Sequence, residues 1–324
     1  MAVSGYTEVF RIKIKMNRKF LRDTVVFFVF TCYVAGCSPQ EKKATVTDSP
    51  RNGSINISLY ESFRPVIEEQ IKVYEASYPA TKINAVYKPE ADCFRDLEND
   101  SIRMVVVASE LTHEQNKFFD AKLNYMPLYD VLAYDAVCAI INKESSDSVF
   151  SINKIQSLLS GKDTSLYVVL DGNKATSTVR YLIDSVLKGS SVFGSNVMAA
   201  ANSRGVIDYV SSHKNAIGFV GSSWVLNSQD PEQVAYQKNI KMALLQCKHH
   251  CEEGEYARPS QYTITYNQYP LVRPLYFILK ERFTGLGTGF TNYLSYERGQ
   301  LVFRRSFLVP GKMDFRVRKG LLSK

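Results

Sequence analysis

Leu166-Tyr167-Val168-Val169-Leu170 runs directly into Asp171-Gly172-Asn173-Lys174-Ala175-Thr176-Ser177-Thr178 and then into Val179-Arg180-Tyr181-Leu182. The first five residues, apolar and β-branched, predict a strand; the small polar residues predict a turn, and the apolar spacing after Thr178 predicts a helix. Three successive hydroxyls stand where that helix begins. Serine and threonine there cap the free N–H groups of the first turn. The same N–H groups, at the positive end of the helix dipole, also form a seat for an oxyanion. Spacing alone leaves both readings open.

The strand-turn-helix unit recurs on either side. Ile55 to Tyr60 predicts a strand, followed by a helix with Val66, Ile67, Ile71 and Tyr74 on one face, Pro65 near its start and Pro79 beyond its end. Lys82–Tyr87, Met104–Ala108, Leu166–Leu170, Ile217–Val220 and Leu275–Leu279 predict further strands, and Ile152–Leu159, residues 206–210 and Gly289–Leu301 predict helices. Val131 to Asn142 is continuously apolar apart from Asp135, the pattern of a strand buried on both faces with a lone carboxylate inside it. This alternation argues for an α/β fold with parallel sheets and right-handed crossovers. In such sheets ligands bind beyond the carboxyl ends of the strands. Ser62, Ser109 with Glu110, and Thr176 to Thr178 all follow strands and so become candidates for one shared site.

The chain has 324 residues and a formal charge of +8. Half of that excess lies in residues 1–37, with six basic residues against two acidic, and the remainder carries 34 basic against 30 acidic. Basic residues scattered among acids do not make a nucleic-acid footprint. The leader itself has a basic stretch ending at Arg22, a short apolar core from Thr24 to Tyr33, and Val34-Ala35-Gly36-Cys37. That order predicts a signal peptide over 1–37, with either Met1 or Met16 as its start, and Ser38 to Ser54 then read as a flexible tether.

Motifs for catalysis are poor. Ser151-Ile152-Asn153-Lys154 and Ser211-Ser212-His213-Lys214 match S-x-x-K without the companion motifs, and no G-x-S-x-G elbow occurs. No histidine lies in an apolar strand to serve as a general base, so neither Ser62 nor Ser177 is expected to act as a nucleophile. Cys247-Lys248-His249-His250-Cys251 admits a zinc site or a loop closed by a local disulfide, and the loop is favoured because no second ligand pair follows. No cofactor and no metal are expected.

Six stretches in order resemble the phosphate-binding proteins of bacterial ABC transporters, specifically their lipoprotein branch of Bacteroidetes type. They are Tyr60-Glu61-Ser62-Phe63-Arg64-Pro65, Tyr134-Asp135-Ala136-Val137 with Ile141-Asn142-Lys143, Ser177-Thr178-Val179-Arg180-Tyr181-Leu182, Asn215 to Gly221, Tyr269 to Tyr276, and Gly299-Gln300 leading to Val309-Pro310. The resemblance implies a type II periplasmic-binding-protein fold, two α/β lobes joined by crossing hinge strands and closing like a clamp. It implies lobe 1 over 55–131, lobe 2 over 132–240, and a return to lobe 1 with C-terminal helices over 241–324. It further implies a non-enzymatic, monomeric solute-binding protein of the cell envelope, facing the periplasm or the cell surface. Its partners would be inorganic phosphate or a related oxyanion, ABC permease subunits, and the membrane through lipid on Cys37. Ser62, Phe63, Glu110, Thr176, Ser177 and Thr178 would line the anion site. Arg180 or Arg64 would offset charge, and Glu110 would accept the proton of hydrogen phosphate. Asp135 would either accept that proton too or hold its strand through backbone hydrogen bonds. The alternative implied by the same fold is an envelope sensor or scaffold outside transport. Where the family has Gly-Ser-Gly-Thr, this chain has Ala175-Thr176-Ser177-Thr178, which leaves the backbone less free to approach an anion.

Overall fold

The computed structural model describes residues 48–172 and 176–313. Strand β1 (Gly53–Tyr60) passes through a 3-10 turn, Glu61–Phe63, into helix α1 (Arg64–Ser77). Pro65 lies in the first turn of α1, where its missing N–H loses no hydrogen bond, and Val66, Ile67, Ile71 and Tyr74 are buried as their spacing predicts. Next come β2 (Thr81–Lys88), α2 (Glu90–Leu97), β3 (Met104–Val107), α3 (His113–Leu123) and β4 (Leu128–Asn142). Beyond β4 lie α4 (Ile152–Ser160), β5 (Tyr167–Leu170), α5 (Ser177–Ser185), β6 (Val197–Ala199), α6 (Ser203–Ser212) and β7 (Ala216–Gly221). The chain returns through β8 (Val272–Leu279), α7 (Leu286–Ser295), α8 (Glu297–Arg305) and β9 (Val309–Pro310).

Two features depart from the sequence-based expectation, at residues 48–54 and 289–301, and one helix lies where none was predicted. Residues 48–54 are not tether: Asp48 is buried and accepts from Arg103 Nη1 (3.2 Å), and β1 already begins at Gly53. The segment from Glu90 is a helix, started by Pro89 and favoured by the acids Glu90 and Asp92 in its first turn. The single helix expected over Gly289–Leu301 is two, because Tyr296 takes an extended backbone between α7 and α8. The leader, Cys37 and residues 38–47 lie outside the described residues, as do Lys174 and Ala175. Among the described residues no helix is long and apolar enough to cross a membrane.

Within the described residues the main sheet has ten strands, eight on the path β2-β1-β3-β8-β4-β7-β5-β6 and two, β9 and Ile240–Met242, paired with β4 beside it. β1 pairs in parallel with β2 and β3, and β5 in parallel with β6 and β7. Between these parallel halves stand β4 and β8, antiparallel to each other and to their outer neighbours β7 and β3. The halves have separate hydrophobic cores. Ile55 to Ala133 and Leu275 to Leu308 supply one, and Ala136 to Leu271 together with Val309 supply the other. β4 leaves the first core after Ala133 and enters the second at Ala136; β8 makes the reverse passage between Leu271 and Leu275. These are the crossing hinge strands of a two-lobed type II binding-protein fold. One assignment changes: Leu245, Ala257, Ile264, Tyr269 and Leu271 pack in the second core, whereas residues 241 onward were expected with lobe 1.

Candidate functional site

The carboxyl ends of β1, β5 and β7 converge on the crossing point of β4 and β8, where Arg273 stands directly opposite Asp135 in register. Both side chains are buried. Arg273 is the lone charge in β8 and Asp135 the lone charge in the buried part of β4 from Leu132 onward, and a buried charge needs a partner close by. Arg273 Nε and Nη2 donate to Asp135 Oδ2 at 2.9 and 2.8 Å, while Asp135 Oδ1 accepts from the Ser222 N–H (2.9 Å) and hydroxyl. Asp135 thus both anchors the turn after β7 and neutralises Arg273. Burial works against the guanidinium charge, and its acidic neighbours, Asp135 first and then Tyr60 and Asp171, together more than restore it.

The remaining N–H groups of Arg273 reach into both lobes. Nη2 donates to Ser62 Oγ (2.6 Å), and Nη1 donates to Ser177 Oγ (3.0 Å) and Thr178 Oγ1 (3.1 Å). All five guanidinium donors are therefore committed to the chain itself. The rings of Phe63 and Tyr60 flank the cation, with its Cζ at 5.1 and 5.5 Å from their centroids. A hydroxyl oxygen that accepts from a guanidinium turns its own O–H away from it. Thr178 sends its proton to Asp171 Oδ2 (3.1 Å). Among the described residues, Ser62 Oγ and Ser177 Oγ meet no protein acceptor for theirs.

Gly221 is required by this crowding. A Cβ there would stand 2.6 Å from Ser62 Oγ, 3.0 Å from Arg273 Nη2 and 3.2 Å from Asp135 Oδ2.

The start of α5 carries the hydroxyl triplet. Thr176 is its N-cap, accepting from the Val179 N–H (3.2 Å), so the capping reading is correct as far as it goes. Thr176 Oγ1 also donates to Asp171 Oδ1 (2.9 Å). Tyr60, from the other lobe, accepts from the Thr178 N–H (3.1 Å) and donates to Asp171 Oδ2 (3.2 Å). Burial raises the Asp171 carboxyl above the usual range, against the Thr176, Arg273, Thr178 and Tyr60 contacts that lower it. Burial likewise pushes the Tyr60 phenol up. Next to Tyr60, Glu61 accepts from Ser203 Oγ (2.9 Å) at the first residue of α6, and burial raises its carboxyl too.

Three expected residues lie elsewhere. Glu110 is exposed and accepts from Tyr276 Oη (2.7 Å), because β3 ends at Val107 and the chain has already turned outward. Arg180 points to the rim, where its half-exposed side chain places Nη1 3.3 Å from Ser109 Oγ and 3.7 Å from Glu90 Oε2. Arg64 pairs with Glu68 on the surface. The buried acid at the rim is Glu90, the first residue of α2. Its Oε1 accepts from the Ala108 N–H (2.6 Å), and its Oε2 is buried without a hydrogen-bond partner. Burial raises its carboxyl, and Arg180 opposes that rise. Ser62, Phe63, Asp135, Ser177 and Thr178 are therefore gathered around Arg273, with Thr176 one step behind on Asp171. Sequence reasoning missed Arg273, Tyr60, Asp171 and Glu90. Arg273 had a readable signal, a single cation inside Leu271-Val272-Arg273-Pro274-Leu275 to match the single anion Asp135.

Cys247 and Cys251 are joined by a disulfide in an exposed loop, and Cys93 and Cys138 are buried free thiols.

A family model described as a PBP superfamily domain matches residues 44–297. No curated protein matches the chain. Among solved structures, the chain is similar to a putative phosphate ABC transporter substrate-binding protein with bound phosphate from Clostridium perfringens. The two are 17% identical with a TM-score of 0.66, over 80% of this chain and 99% of that one. It is also similar to an ABC-type phosphate transport receptor from Vibrio cholerae, at 15% identity and a TM-score of 0.58 over 80% and 100% of the two chains. A possible phosphate binding protein from Planctomyces limnophilus matches at 15% identity and a TM-score of 0.53, over 80% and 93%. At these identities the likeness establishes the fold.

Proposed function

The chain belongs to the PBP superfamily, and from that premise we propose that it is a solute-binding protein that captures phosphate or a related oxyanion between its lobes and delivers it to an ABC permease. In this reading it is a non-enzymatic monomer held to the membrane by lipid on Cys37, of the lipoprotein branch, and works in the periplasm or at the cell surface. The observation that carries the proposal is the pair Ser62 and Ser177. They come from opposite lobes, both accept from one buried guanidinium, and both thereby hold their protons outward as oriented donors. A ligand rich in acceptor oxygens satisfies both at once. Arg273 acts through these hydroxyls and by its charge, since its own N–H groups are committed. Thr178 and Thr176 keep the start of α5 in place through Asp171.

Glu90 takes the role first given to Glu110. Its buried Oε2, which Arg180 approaches at 3.7 Å but which takes no hydrogen bond, accepts the proton of hydrogen phosphate and repels sulfate, which has none to give at neutral pH. Calorimetric titration of phosphate-stripped protein with phosphate and with sulfate tests the reading. Ser62→Ala and Ser177→Ala should each weaken phosphate binding on the order of tenfold or more, the loss of one hydrogen bond to a charged group. Glu90→Gln should narrow the preference for phosphate over sulfate. Wild-type protein without saturable binding of phosphate refutes the proposal.

A further inference from the structure

One short segment carries buried bonds between the lobes, beside the bonds of Gln261 to Arg304 and Leu308, Arg305 to Gln229 and Arg180 to Ser109. Tyr60 and Glu61, at the end of β1, reach across the cleft to the starts of two different helices. Tyr60 Oη takes the Thr178 N–H of α5 at 3.1 Å and bonds Asp171 Oδ2 at 3.2 Å, with Thr178 Oγ1 3.0 Å away. Glu61 Oε2 takes the Ser203 hydroxyl at the start of α6 at 2.9 Å. The next residue extends the same docking: Ser62 O accepts from Ser223 Oγ (2.9 Å), and Ser62 Oγ accepts from Arg273. Tyr60 is 1% exposed and Ser62 and Ser223 are equally enclosed, so the bonds of Tyr60 and Ser62 form away from water and are not weakened by it.

We propose that Tyr60 and Glu61 form a built-in latch, two teeth of lobe 1 seated on the first turns of α5 and α6 in lobe 2. In a clamp closed by its ligand, the ligand supplies the bonds that bridge the lobes. Here the chain supplies bridging bonds itself, and one of them uses a helix N–H that would otherwise face an anion. The ligand then adds its contacts at Ser62, Ser177 and Glu90 to a clamp that is already shut. The latch goes beyond the oxyanion reading and needs only the two lobes, so it stands or falls separately from the identity of the solute.

Spin labels on Lys117→Cys in α3 and Asp208→Cys in α6, both exposed, report the separation of the lobes in the full chain by pulsed electron resonance. With wild-type Tyr60 and Glu61, phosphate-stripped protein should give one short distance that saturating phosphate leaves unchanged. Tyr60→Phe keeps the ring against Arg273 and removes only the hydroxyl, so it should add a longer distance that phosphate converts back to the short one. Glu61→Gln should do the same to a smaller extent, because a neutral amide still accepts from Ser203. Circular dichroism and the unfolding midpoint of each variant confirm that it is folded. The latch is overturned if stripped wild-type protein already shows the long distance and phosphate shortens it, or if a folded Tyr60→Phe protein keeps the wild-type distance. A failure to bind phosphate in the calorimeter, with one short distance in wild-type protein and a longer one added in Tyr60→Phe, leaves the latch intact and removes only the oxyanion reading.

Discussion

Replacing Asp135 by asparagine keeps the shape of the side chain and removes the charge that faces Arg273. In the native protein Asp135 Oδ2 receives two charge-assisted bonds, at 2.9 and 2.8 Å, and Oδ1 receives the Ser222 N–H and hydroxyl. An asparagine has one acceptor oxygen for these four donors. If the oxygen turns to Ser222, its NH2 confronts Nε and Nη2; if it turns to Arg273, the NH2 confronts the Ser222 N–H. Either way a guanidinium that is 1% exposed loses its counter-charge. Removing one member of a buried pair costs about 3–5 kcal/mol, against a total stability on the order of 5–15 kcal/mol. Urea unfolding followed by circular dichroism reads this directly. With a slope near the upper end of about 1–3 kcal/mol per molar, the midpoint of Asp135→Asn should fall by roughly 1–2 M. The double variant Asp135→Asn with Arg273→Met should recover more than half of that loss, because no unpaired charge remains buried. A fall of less than about 0.3 M in the single variant, or a double variant no more stable than the single, refutes the view that the pair is the electrostatic centre of the site.

Gly221→Ala places a methyl group against Ser62 Oγ, Arg273 Nη2 and Asp135 Oδ2 at distances none of them can yield without breaking the network. It should lower stability by about 1–3 kcal/mol and reduce anion binding; a thermal shift below the error of measurement counts against it. The acid side chains of the cleft also set a pH dependence. Burial raises Glu61, Glu90 and Asp171 in the folded state, so between the unfolded and the raised folded values each binds more proton folded than unfolded. Stability therefore declines as pH rises from about 4 through the raised folded values. Glu90→Gln should flatten that decline in a series of urea midpoints between about pH 4 and 8, and an unchanged slope would show that Glu90 is not raised.

The larger architecture was legible because hydrophobic period and capping chemistry act locally. Val66, Ile67, Ile71 and Tyr74 define the buried face of α1, and Gly161 closes α4 in the left-handed conformation at φ 74°. The strand after Val131 was legible for the same reason, a run too apolar to lie on a surface. Glu110 failed because it was placed by order along the chain, whereas its direction depends on where β3 stops. Glu90 failed because a proline followed by acids reads equally as a loop and as a helix start until the helix has something to pack on, here through Cys93, Phe94 and Leu97. Tyr60 and Asp171 were invisible as a pair. Their meeting is a contact across 111 residues, decided by the docking of one core on the other.

Arg273 and Asp135 belong to the two strands that pass between the cores, so the cation of the site sits on the axis about which the lobes turn. A charge on a pivot does not travel. Its attraction for an anion resting near the crossing point is nearly the same whether the jaws are apart or together, and a ligand shifts a conformational balance only through contacts that differ between the two states. In the proposed reading the long-range attraction for an anion and the resting posture of the jaws are set by different residues, Arg273 on the pivot and Tyr60 with Glu61 at the end of β1. Substitutions at Tyr60 would retune that resting posture while leaving the charge on the pivot in place.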